Sequence, residues 1–133
     1  MGSEMCIRDR DQDPDFAARL ARVEIELANM RTTNLRVVAA AAGGGAPGAE
    51  SSMLKIRGTQ IRQEITALNR RAMGPYARPF VPEALHDGYD AAPIGPDGAD
   101  SAAAQYFNNR KLSIFGGSNE IQKNIISKMI LGL

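Results

Sequence analysis

The chain has 133 residues, 44% of them hydrophobic, with sixteen basic and fifteen acidic residues for a formal net charge of +1. That length suits one modest domain, and the interspersed charges give no basic field for nucleic acid. No apolar run approaches the ~20 residues that cross a bilayer, so an intracellular helical protein of cytoplasmic location is expected.

The opening MGSEMCIRDR has neither the apolar core of a signal peptide nor the period of a helix. MCIRDR resembles a peptide produced when sequencing-adapter DNA is translated. Residues 1–10 are therefore read as a non-native leader, with native sequence starting near Asp11. A single cysteine, Cys6, excludes an internal disulfide, and with His86 alone in a Pro- and Gly-rich loop no metal site is expected.

Phe16, Leu20, Val23, Leu27 and Met30 recur at steps of four and three, with Ile25, Leu35 and Val38 broadening the stripe. The spacing predicts a helix from about Asp15 to Ala41, capped by Asp13 with Pro14 at its first position. It stops at GGGAPG, residues 43–48, where glycine and proline cannot continue it. A second helix is predicted from about Ser51 to Met73. Its apolar line is Leu54, Ile61, Ile65, Leu68 and Ala72, with Gly58 in register to let a neighbouring helix approach. Two long helices with a short connection pack antiparallel.

Residues 74–100 have no period and carry five prolines and several glycines, which predicts a long loop. Tyr76, Phe80, Val81, Leu85 and Tyr89 are candidates to pin it down. A third helix is expected over about Ser101–Ile114, capped by Asp100 or Ser101, and a fourth over Asn119–Leu131. The fourth presents Ile121, Ile125, Ile126, Met129 and Ile130 as a wide apolar face, suited to partners beyond its own domain.

Ahead of that last helix lies IFGGSNEIQ, residues 114–122. Gly116 and Gly117 permit backbone conformations closed to other residues and remove side chains that would hold a ligand away. Ser118 is a strong N-cap, so the helix start behind it directs free N–H groups and positive dipole outward. A bare Gly-Gly turn between helices explains the same residues without any ligand.

The longer run Phe115-Gly116-Gly117-Ser118-Asn119-Glu120-Ile121-Gln122 resembles the C-terminal end of the acyl-CoA dehydrogenases. Upstream, YFNNRK (residues 106–111) and SSMLKIRGTQIRQEITAL (residues 51–68) are similar to earlier segments of the same domain, and the likeness spans nearly all of the chain after Asp11. The resemblance implies an all-α fold, an up-and-down helical bundle over residues 11–133, incomplete at its N-terminal side. It implies an FAD-dependent oxidoreductase that converts an acyl-CoA thioester to the 2-enoyl-CoA and passes electrons to an acceptor protein, assembled as a homo- or hetero-oligomer through the bundle.

Residue by residue, the likeness implies that Phe115 and Gly116 border the acyl-CoA and that Gly117, Ser118, Asn119 and Glu120 border FAD. Gly116 occupies the position of the family's glutamate base in some members, so no catalytic carboxylate is expected in this chain. Its backbone N–H is still available to polarise the thioester carbonyl. Arg110 and Lys111 either assist an anionic cofactor or lie on a solvated face. The loop at 76–96 replaces a Gly-rich segment that carries cofactor contacts in many members. The alternative is therefore a non-catalytic assembly subunit or helical interaction module.

Overall fold

The computed structural model describes residues 10, 12–46, 48–92 and 94–132. The leader apart from Arg10, Cys6, Pro47 and Pro93 lie outside the described residues. Among the described residues all regular structure is helical: α1 (Pro14–Ala42), α2 (Ala49–Met73), α3 (Ala99–Asn108) and α4 (Asn119–Leu131), with 3-10 turns η1 (Gly74–Ala77), η2 (Pro82–Leu85) and η3 (Asn109–Ser113). No helix among these residues is long and apolar enough to cross a membrane.

Two compact units are formed. The first takes the chain up to Arg22 together with Gln63–Arg110. Its α1 portion begins as the sequence predicts, because the Asp13 carboxylate accepts the backbone N–H groups of Asp15 (3.0 Å) and Phe16 (3.3 Å) ahead of Pro14. Those bonds, that of Phe16 foremost, hold the Asp13 carboxyl below its ordinary value, helped by the Arg71 guanidinium at 3.2 Å. Arg19 and Glu64 pair farther along at 2.6 Å.

The heart of this unit is made of alanines. Ala77, Ala99, Ala102, Ala103 and Ala104 are almost fully buried, and α3 packs on η1 and η2 through them. The segment expected as an irregular loop therefore contains two turns of 3-10 helix and the start of α3. Small side chains pin it more than the expected anchors: Leu85 and Tyr89 are exposed, Val81 is half-buried, and Phe80 reaches only an edge-on contact with Phe107, centroids 5.9 Å apart. Tyr76 is the exception. Its ring lies where a side chain at Gly95 would start, 2.5 Å from the place of a Cβ, and Gly95 has a φ of 103°. Only glycine suits that position.

The third helix also differs from expectation. It starts two residues early behind Gly98, whose φ of 81° turns the chain in, so Asp100 and Ser101 lie in the first turn and do not cap it. It gives way to η3 at Asn109. There the Asn109 amide donates to the Gln105 carbonyl at 2.7 Å and the Arg110 guanidinium to the Tyr106 carbonyl at 3.3 Å. Side chains that take up the last-turn carbonyls favour the tighter turn.

The second unit comprises Val23–Arg62 and Lys111–Leu133. Here α1 and α2 run antiparallel, tied by an ion pair between Glu26 and Arg57. Met30 lies against Gly58, its sulfur 3.5 Å from where a Cβ would sit. That is ordinary van der Waals distance, so the glycine permits the approach without being demanded by it.

Along α2 the most buried positions differ from the expected apolar line. Ile61 and Leu68 are buried as predicted, whereas Leu54, Ile65 and Ala72 are half-buried. A second line, Ser52, Ile56, Thr59 and Thr66, is buried as well. Its threonines satisfy their hydroxyls on the helix itself, Thr59 donating to the Lys55 carbonyl at 2.9 Å and Thr66 to the Gln63 carbonyl at 3.0 Å.

Candidate functional site

The segment Ile114–Gln122 belongs wholly to the second unit. Backbone N–H groups of Ile114 and Phe115 both donate to the Lys111 carbonyl, at 2.9 and 3.1 Å, which closes the turn. Gly116 (φ 65°) and Gly117 (φ 85°) follow in the left-handed region, and Ser118 returns to extended backbone. Two successive left-handed residues bend the chain sharply into the start of α4, and only glycine adopts both at little cost.

The bend is held from the helix side. The Gln122 amide donates to the Gly116 carbonyl at 2.9 Å, and the Ser118 hydroxyl accepts the N–H of Ile121 at 3.3 Å, the predicted N-cap. Nothing lies within 4 Å of the place a Cβ would take at Gly116, whereas one at Gly117 would meet the Gln122 amide nitrogen at 2.8 Å. Gly116 thus offers an open approach to its backbone, and Gly117 is fixed by its own neighbour.

Phe115 is 57% exposed, with the Lys111 ammonium 5.3 Å from its ring centroid. Asn119 accepts a hydrogen bond from the Lys55 ammonium at 3.1 Å, which joins the helix start to α2. Glu120 is exposed, and its carboxyl is held below the ordinary value. Its own backbone N–H contributes most, followed by the Ser118 hydroxyl and the charges of Lys123 and Lys55. A carboxylate lowered in this way is a weaker proton acceptor than an ordinary one.

Phe115, Gly116, Gly117, Ser118, Asn119 and Glu120 share one turn, on which Ser118 and Asn119 are half-buried and the other four exposed. Two further residues join them, Gln122 and Lys55. Gln122 is legible in the motif, since a donor two residues past Glu120 is placed to reach back over the glycines. Lys55 was hidden by distance along the chain. Arg110, by contrast, belongs to the first unit, where it donates to the Gln63 carbonyl at 2.8 Å and lies over the Tyr106 ring at 4.4 Å. Gln63 in turn donates to the carbonyls of Asn109 and Arg110, both at 3.2 Å. Among the described residues no group of three His, Cys, Asp or Glu side chains is placed to hold a metal ion.

An all-helical chain ending in a glycine-bent, serine-capped helix is the class of domain defined so far. Residues 9–131 match the family model described as acyl-CoA dehydrogenase, C-terminal domain, and the chain belongs to that family. Searches with the chain matched no curated protein and no solved structure.

Proposed function

We propose that this chain forms the C-terminal part of an FAD-dependent acyl-CoA dehydrogenase that converts an acyl-CoA thioester to its 2-enoyl-CoA. The observation that carries the reading is the open backbone at Gly116, directly before a helix start capped by Ser118. The turn fits a flat, anionic partner: it has no side chain at its apex, free helix-start dipole behind it, and the Lys55 ammonium within reach of Asn119.

In this reading the Gly116 N–H donates to the thioester carbonyl oxygen, and stabilises the charge that develops there as the α proton leaves. Phe115 borders the acyl chain. Gly117, Ser118, Asn119 and Glu120 border the cofactor, which when bound accepts the β hydrogen as hydride. The base that takes the α proton is a carboxylate from an earlier helix of the same domain, because position 116 is glycine.

Expression of the gene together with its upstream reading frame tests the proposal. A flavin spectrum bleached by acyl-CoA is expected. A folded, colourless oligomer would overturn it in favour of an assembly subunit. Recovery of the upstream genomic DNA checks the leader at the same time, since a native frame encoding MCIRDR there would make those residues the protein's own.

A further inference from the structure

Side-chain hydrogen bonds hold the turn at 115–122 in two different ways. The Ser118 hydroxyl accepting the Ile121 N–H and the Gln122 amide donating to the Gly116 carbonyl both stay within the turn and the start of α4. They fix its shape and travel with it. The Lys55 ammonium, 3.1 Å from the Asn119 side-chain oxygen, comes from α2, 64 positions away. That bond fixes where the turn stands in the second unit.

Packing contributes little to the placement. Interdigitated side chains give an element a single position, but no residue of α4 is buried. Nothing lies within 4 Å of the place a Cβ would take at Gly116 either. A polar tie therefore registers the first turn of α4 against α2, and it acts on Asn119, the first residue after the cap. The same stretch of α2 meets the chain ahead of the bend, since the Thr59 hydroxyl lies 3.4 Å from the Leu112 carbonyl.

Stability alone does not account for Lys55. The residue is half-buried, as is Asn119. A long side chain gives up its rotamer freedom there for a bond to a neutral oxygen. Among the described residues no carboxylate stands within ion-pair distance of it. Its charge also lies at a helix start, the end whose dipole is already positive. Glu120 offsets part of this from a distance, Lys55 being the smallest of the causes that lower its carboxyl.

We infer that Lys55 is a positioning residue: by holding Asn119 it sets where the Gly116 N–H stands, and through it the alignment of the thioester carbonyl. This role rests on Gly116 being the carbonyl's donor. A displaced donor costs most where charge develops, so the loss falls on turnover more than on ground-state binding.

Two measurements on Lys55→Met test it. In the flavoprotein expressed with its upstream reading frame, kcat per bound flavin should fall roughly tenfold while KM for acyl-CoA holds. Lys55→Arg keeps a cation with donors and should recover most of the loss. Arg31→Gln, which removes an exposed charge on α1 in the same unit, should match the wild type. In the 133-residue chain, amide hydrogen exchange read by mass spectrometry should quicken several-fold across residues 115–122 in Lys55→Met and stay unchanged in α3. Unchanged exchange at 115–122 would overturn the inference, as would a KM that rises as much as kcat falls. So would an Arg31→Gln protein as slow as Lys55→Met. Wild-type turnover equalled by Lys55→Met removes the positioning role alone. A wild type without flavin or turnover removes the reading of the reaction, and this role with it.

Discussion

At the scale of single residues, the two adjacent glycines are not equivalent. Both need a left-handed backbone, but only at Gly117 does a neighbouring side chain occupy the space of a Cβ. Gly116→Ala should lower stability by about 1 kcal/mol through backbone strain alone, and Gly117→Ala by more, because the Gln122 bond to the Gly116 carbonyl is disturbed too. Urea denaturation of the two variants checks the order. Ser118→Ala removes the N-cap and should cost about 1 kcal/mol at neutral pH. Glu120 gives this turn a pH dependence. Its carboxyl lies below an ordinary value of 4.5, so its contribution is complete above that pH and is lost as pH falls through the lowered value. The Ser118 hydroxyl is one cause of the lowering, so in Ser118→Ala the acid-dependent loss should shrink. Thermal unfolding followed from pH 7 to pH 3 would show it.

At the scale of elements, the ends of α1 and the start of α4 were legible because each is a local event. Asp13-Pro14 and Ser118 act on backbone groups two or three residues away. The apolar stripe of α2 was only half legible. Ser52, Thr59 and Thr66 count as polar in any periodicity, yet threonines that bond to their own helix can be buried at little cost. The alanine core around α3 escaped for a related reason: alanine carries too little apolar surface to mark a face by pattern. The candidate turn at 115–120 was visible as a motif, whereas its tie to Lys55 depends on a contact across 64 positions of chain. Gly58 is the element-scale test. It sits inside a helix with space for a methyl group beside Met30, so Gly58→Ala should stabilise the chain by up to about 1 kcal/mol. A lower midpoint in denaturant would show that the Met30 contact has no room to give.

At the scale of the whole molecule, much apolar surface is uncovered within each unit. Leu20, Phe80 and Phe107 are exposed in the first, and Ile25, Leu27, Val38, Ile121, Met129 and Ile130 in the second. With a net charge of only +1, little repulsion keeps copies apart. The 133-residue chain should therefore associate at micromolar concentration, and sedimentation velocity across a dilution series reads this out. A monomer at every concentration would contradict it.

The distribution of rings has an optical consequence. The chain has no tryptophan, and its three tyrosines, Tyr76, Tyr89 and Tyr106, all fall between Gln63 and Arg110. Tyr106 has guanidinium groups at 5.0 and 4.4 Å from its centroid, those of Arg70 and Arg110, and Tyr76 is seated on Gly95. Near-ultraviolet tyrosine signals consequently follow one unit and are silent about the other. Circular dichroism of the backbone follows both. Overlay of the two melting curves thus measures whether the units unfold as one cooperative body or in separate steps.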